Sequence, residues 1–98
     1  MTINKTQSGN ALTITLEGRL DTVTSPELEK ELKNSLDAAE SLTLDFGKLE
    51  YISSAGLRVL LSTHKAMSKK GGMKITNVNE IVKEVFEVTG FSEILTIE

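Results

Sequence analysis

The sequence predicts an α/β domain: a mixed, mostly parallel sheet packed with helices in the order β-β-α-β-α-β-α-β. Strand-type and helix-type apolar spacings alternate along the chain, and the first two strand signals are separated only by the turn triplet Ser8-Gly9-Asn10. Each later strand signal is reached through a helical one. That arrangement yields parallel neighbours joined by right-handed crossovers, whereas a hairpin start makes the sheet mixed. Helices on one face and helices on both faces fit the pattern equally. A length of 98 residues predicts one domain, 1–98, with a single core.

The elements follow from local chemistry. Met1 to Thr6 holds a short alternating piece, and Leu12, Ile14 and Leu16 repeat at period two, as a half-buried hairpin partner does. Gly18 to Ser25 reads as a loop. Ser25-Pro26-Glu27 is a helix start, with a cap-type serine followed by proline and an acid in the first turn. Leu28, Leu32 and Leu36 give that helix one apolar stripe, ending near Ala39. Leu42 to Phe46 reads as a buried strand, and Gly47 to Tyr51 as a turn. Leu57, Leu60, Leu61, His64 and Met67 then mark a second amphipathic helix, stopped by Gly71-Gly72. Met73 to Thr76 is a short strand, Asn79 to Val88 a helix ended by Gly90, and Ile94 to Ile97 a last strand.

Composition narrows the chemistry. The chain is 39% hydrophobic and 26% charged, and it has no cysteine, so disulfides, thiol nucleophiles and zinc-thiolate sites are excluded. MTINKTQSGN lacks an apolar leader segment, and no run approaches the ~20 apolar residues of a membrane span. A cytoplasmic protein without a membrane partner is the expectation. A net charge of −3 and only Lys69-Lys70 as a basic cluster argue against direct nucleic-acid binding, which needs grouped Lys and Arg.

Among candidate sites, catalysis by serine fails on distance. Ser54 and His64 are ten residues apart on one predicted helix, about 15 Å at the helical rise, whereas a nucleophile and its base need about 3 Å. The G-x-S-x-G elbow is half present, with Ile52 where the first glycine belongs. His64 falls on the apolar stripe and reads as a packing residue. No phosphate-cradling glycine motif follows a strand, and one histidine among scattered acids makes no metal cluster. Neither cofactor nor metal is expected, and the protein reads as a non-enzyme.

Ser53 and Ser54 remain. Ser53 is a good helix cap, its hydroxyl accepting from a backbone N–H two or three residues on. Capping uses one serine. The second, followed by small Ala55 and Gly56, then presents a hydroxyl at the positive end of a helix dipole, where a phosphoryl group is accepted with little strain.

These residues resemble the STAS domain, the fold of bacterial anti-sigma-factor antagonists, over nearly the full chain. "LEGRLDTVTSPEL" is similar to the family's second strand and first helix, with Gly18, Leu20 and Asp21 at recurring positions. "LTLDFGKLEYISSAGLRVLL" is similar to its central strand, loop and helix, and "GGMKITNVNEIVKEVFEVTGFSEILTI" to its closing strand, helix and strand. The resemblance implies partner switching: the unphosphorylated antagonist binds an anti-sigma factor that is also a serine kinase, freeing the sigma factor. Phosphorylation releases it, and a PP2C-type phosphatase resets it. By position, the resemblance makes Ser54 the phosphoacceptor, Asp21 an acid near it, and Gly56 the residue that keeps the helix start open.

In two respects the chain departs from that pattern. Ser53 stands where many members carry Asp, and the chain stops at Glu98, before a helix that members commonly have; part of one sheet face is therefore expected to be less covered, or to be where a partner lies. The alternative within the fold is an accessory subunit of a lipid-transport or stress-sensing complex that does not use a phosphoswitch.

Overall fold

The opening hairpin and its parallel extension organise the molecule. The computed structural model describes residues 1–98. Strands β1 (Thr2–Ser8) and β2 (Ala11–Leu20) pair antiparallel around the Gly9-Asn10 turn, with Thr6 opposite Thr13. Strand β3 (Ser41–Ile52) joins β2 in parallel, followed by β4 (Met73–Thr76) and β5 (Thr96–Ile97), also parallel. Spatial order equals chain order, β1-β2-β3-β4-β5.

Because every crossover steps in the same direction, right-handed connections place all the helices on one face. These are α1 (Ser25–Ser35), α2 (Ser54–Met67) and α3 (Glu80–Thr89). Side chains confirm the arrangement. Leu12, Ile14, Leu16, Leu42, Leu44, Phe46, Met73 and Ile75 are all buried on that face. Lys5, on the same side of the edge strand, reaches Glu31 Oε2 of α1 at 3.0 Å, and Phe86 of α3 meets Phe46 at 6.4 Å between ring centroids. The opposite face carries Thr13, Thr15, Thr43, Asp45 and Lys74, and no helix covers it.

Several sequence expectations need correction. Gly47 to Tyr51 does not turn the chain; it continues β3 along β2 to the pair Leu20 and Ile52. Register shifts fall between Thr15 and Glu17 and between Gly18 and Arg19, each placing an extra residue on β3. A bulge of this kind opposes two residues to one and bends the strand. The buried positions therefore run Phe46, Leu49, Ile52, at a period of three, which conceals the strand from a period-two search.

Ser25 does not cap α1. Thr24 holds the N-cap position, and its hydroxyl instead donates to Arg19 O at 2.7 Å. Leu36 lies in a 3-10 turn, Leu36–Ala38, and is only half buried. In α2 the buried arc is broader than the leucine stripe: Leu57, Leu60 and Met67 are buried, but so are Val59 and Thr63, whereas Leu61 and His64 are half exposed. The cause is α1, which lies beside α2 and rotates the covered arc toward Val59 and Thr63; these residues border a groove shared with Leu32 and Leu36. Met73 to Thr76 is a strand as expected, and Asn79 caps α3, accepting from Val82 N at 2.8 Å. Gly71 admits the chain close to the α1–β3 connection: its N–H donates to Glu40 O at 2.6 Å, and a Cβ there would lie 2.6 Å from the same oxygen. The last strand shrinks to Thr96–Ile97, with Ile94 exposed before it.

Truncations test this core. Leu60→Ala and Leu49→Ala are each expected to cost about 2–5 kcal/mol in urea unfolding, the range for fully buried leucines. Leu61→Ala should cost clearly less. A near-neutral Leu49→Ala would restore the turn in place of the bulged strand.

Candidate functional site

The serine pair sits where two parallel strands end together. Leu20 and Ile52 are register partners, and just beyond them Ser53 N–H donates to Leu20 O at 2.9 Å. Asp21 follows Leu20 directly, so Asp21 and Ser53 leave the sheet side by side. Gly56, one helical turn on, is buried against the same two strand ends. A Cβ at Gly56 would stand 2.8 Å from both Ile52 Cγ1 and Leu20 Cγ. The residues singled out from the sequence thus converge on one corner, but Gly56 faces inward. It admits α2 to the strand ends; the openness around Ser54 comes from elsewhere.

Each of the paired serines has a different environment. Ser53 occupies the N-cap position with extended backbone, φ −102 and ψ 176, yet its hydroxyl makes no cap bond. Its Oγ is buried and has no partner. This differs from the expected capping role. Ser54 is the first residue of α2 and is exposed. The first backbone bond of the helix runs from Leu57 N–H to Ser53 O at 3.0 Å. The N–H groups of Ser54, Ala55 and Gly56 consequently have no protein acceptor, which leaves positive partial charge around the Ser54 side chain.

Asp21 organises its own loop. Its Oδ1 accepts from Val23 N–H at 3.0 Å and Thr24 N–H at 3.1 Å, and the Thr24 hydroxyl approaches it at 3.2 Å. The Asp21 N–H donates to Thr24 Oγ1 at 2.9 Å, closing the turn that precedes α1. The Thr24 N–H is the main cause holding the carboxyl below its ordinary 3.8; the Thr24 hydroxyl, Val23 N–H and Arg19 charge add to this, and partial desolvation opposes it. Neither serine hydroxyl is among its partners. Arg19 lies 3.8 Å from Asp21 Oδ2 through Nε, and its guanidinium stacks 4.5 Å from the centroid of Tyr51, its cross-strand neighbour.

Sequence reasoning passed over one further feature of this corner. Between the amino-terminal ends of α1 and α2 runs a groove of about 320 Å³, lined by residues including Thr22, Ser25, Glu29 and Arg58. Arg58 is four residues after Ser54, a spacing visible in the sequence once α2 was predicted. Ser25 is 3% exposed with an unpartnered Oγ, which only the packing reveals. No helix is long and apolar enough to cross a membrane.

The sheet order and the exposed serine at an uncapped helix start define a small α/β module with an open hydroxyl at one surface corner. The STAS domain family model matches residues 2–98, and the chain belongs to that family. A Bordetella bronchiseptica protein, BtrV, assigned as an anti-sigma factor antagonist, is 38% identical over 84 residues, covering 84% of this chain and 72% of that one. The crystal structure of an anti-sigma factor antagonist from Mycobacterium paratuberculosis superposes with a TM-score of 0.89 at 22% identity, covering 98% of this chain and 83% of that one. The Bacillus protein SpoIIAA has been solved in unphosphorylated and phosphorylated forms; these match with TM-scores of 0.77 and 0.76 at 16% identity, covering 99% of this chain and 87% and 91% of theirs.

Gly56→Ala is expected to destabilise the fold by about 1–3 kcal/mol, the usual cost of overpacking, because Leu20 and Ile52 must move. Urea unfolding measures it. The depressed carboxyl of Asp21 makes stability present above its unfolded value and lost as pH falls through the folded one. The melting temperature of the wild type should therefore drop more steeply below about pH 4 than that of Asp21→Asn. Parallel profiles for the two proteins would remove Asp21 from the acid response.

Proposed function

We propose that this chain is an anti-sigma factor antagonist that works by partner switching, with residues 1–98 as one STAS unit and Ser54 as the phosphoacceptor. The unmodified form binds an anti-sigma factor that is also a serine kinase, and so frees a sigma factor in the cytoplasm. In the transfer step, Ser54 Oγ gives up its proton and bonds to the γ-phosphorus of the kinase's ATP as ADP leaves. A PP2C-type phosphatase hydrolyses the ester and restores the hydroxyl. On this reading the chain is a substrate and binding module with no catalysis or cofactor of its own.

The observation that carries the reading is the contrast between the serines. Ser54 is exposed on the first turn of α2, whereas the Ser53 hydroxyl is buried. A kinase reaches the first and not the second. Phosphorylation adds about 1.5–2 negative charges and three acceptor oxygens. At an uncapped helix start, free N–H groups and the helix dipole favour that charge, so the fold tolerates it. In support of this, SpoIIAA shares this fold in both its unphosphorylated and its phosphorylated form. At an interface formed around a neutral hydroxyl, the same charge and bulk oppose binding. A loss of about 3 kcal/mol weakens an interface more than a hundredfold, enough for a switch. Asp21, beside Ser53 at the strand ends, shapes the loop that faces the kinase.

Incubation with the cognate kinase and ATP, followed by mass spectrometry, tests the assignment. Modification is expected at Ser54 alone. Ser54→Ala should abolish it and keep partner binding, and Ser54→Asp should weaken binding while the circular dichroism spectrum stays native. Modification confined to Ser53 would transfer the role. If neither serine is modified and both alanine variants signal normally, the accessory-subunit reading replaces this one.

A further inference from the structure

We propose that the groove between the amino-terminal ends of α1 and α2 is a built receptor for the phosphoryl group of Ser54, with Arg58 and Ser25 as its principal ligands. The inference rests on Ser54 being the phosphoacceptor and adds where the phosphoryl group goes once attached.

Several independent features point there. Residues four apart on a helix lie one above the other, about 5–6 Å between Cβ atoms. Ser54 and Arg58 have that spacing on α2, and Arg58 also lines the groove. Arg58 is exposed and takes part in no ion pair, so its guanidinium is available to grip two phosphoryl oxygens at once. On the opposite wall, Ser25 is 3% exposed and its hydroxyl has no partner, although buried polar groups are ordinarily satisfied. Solvent does not reach the Ser25 hydroxyl in the unmodified chain, so docking includes its rotation toward the groove, where it donates to a phosphoryl oxygen. The uncapped N–H groups at the start of α2 supply further donors at the same end.

The groove also contains Glu29, whose carboxylate would repel an anion. Glu29 is turned to Lys33, with Oε1 3.5 Å from Nζ, so its charge is partly compensated along α1. The balance of the site is donors: a guanidinium, a buried hydroxyl and the helix-start N–H groups, with Thr22 also on the lining. A phosphoryl group, with three acceptor oxygens, matches that set. Docked there, it bridges α1 to α2 and takes up the free charge of Arg58. One modification then alters the corner twice, adding a dianion and withdrawing a cation from any partner that had used it.

The test uses the full chain carrying phosphoserine at position 54, installed during synthesis so that no kinase is required. The phosphorus NMR signal is followed against pH for the otherwise wild-type chain and for Arg58→Gln, Arg58→Lys and Ser25→Ala. The wild-type phosphoryl group should lose its second proton below the ordinary value of about 6. Arg58→Gln should raise that midpoint by about half a unit or more, a roughly threefold change in the acid constant. Arg58→Lys should rescue it in part, because a point charge replaces a two-pronged one. Ser25→Ala should leave the melting temperature of the unmodified chain unchanged or raised, since its hydroxyl has no partner there, yet lower that of the phosphorylated chain. Identical titrations for wild type and Arg58→Gln, or an unchanged melting temperature of the phosphorylated chain on Ser25→Ala, would overturn the receptor and leave the acceptor assignment standing. Failure of the kinase to modify Ser54 would overturn the acceptor assignment without bearing on these titrations.

Discussion

The pairing of β2 with β3 governs the placement of everything else at this corner. It is the longest parallel contact in the sheet, and it runs through two bulges before ending at Leu20 and Ile52. Each bulge spends one residue of β3 without advancing it along β2. Together they bring Asp21 and Ser53 off the sheet at the same level, fixed by the bond from Ser53 N–H to Leu20 O. The α1 and α2 amino termini follow from those two points. Without the bulges, the serine pair would emerge out of step with the Asp21 loop, and the groove between the helices would not form.

The corner is organised around groups left unsatisfied. A buried hydroxyl without a partner costs about 1–3 kcal/mol, and the structure holds two at this end, on Ser25 and Ser53. The start of α2 adds three N–H groups with no protein acceptor. By contrast, α3 is conventionally finished: Asn79 accepts from Val82 N–H and donates to Leu49 O, each at 2.8 Å. The same chain thus caps α3 and leaves open the helix that carries the exposed serine. On the proposed phosphorylation of Ser54, such a distribution suits a site completed by the added anion.

The one-sided helix layer has its own consequence. Threonines, Asp45 and Lys74 line the uncovered face of the sheet, where β-branched polar side chains suit a pleated, solvated surface. All the apolar volume is committed to the other side, under α1, α2 and α3. Displacement of α2 therefore acts on the whole core, and the close seat that Gly56 allows against Leu20 and Ile52 holds it in position.

By itself the sequence determined the element order, the hairpin, the α2 and α3 leucine and valine faces, and the serine pair at a helix start. These depend on local periodicity, turn chemistry and helix signals, which a chain carries in its own residues. The family resemblance further pointed to Ser54, Asp21 and Gly56. Only the tertiary structure decided the rest. The bulged half of β3 looked like a turn because its burial period is set by its partner strand. Val59 and Thr63 entered the core because α1 lies beside them. Ser53 lost its expected capping bond, and Gly56 proved to be a packing contact. Ser25 and Arg58 became facing walls of one groove although 33 positions separate them in sequence (58 − 25). Burial, register and the absence of a hydrogen-bond partner are properties of what surrounds a residue, and those surroundings exist only once the strands have paired.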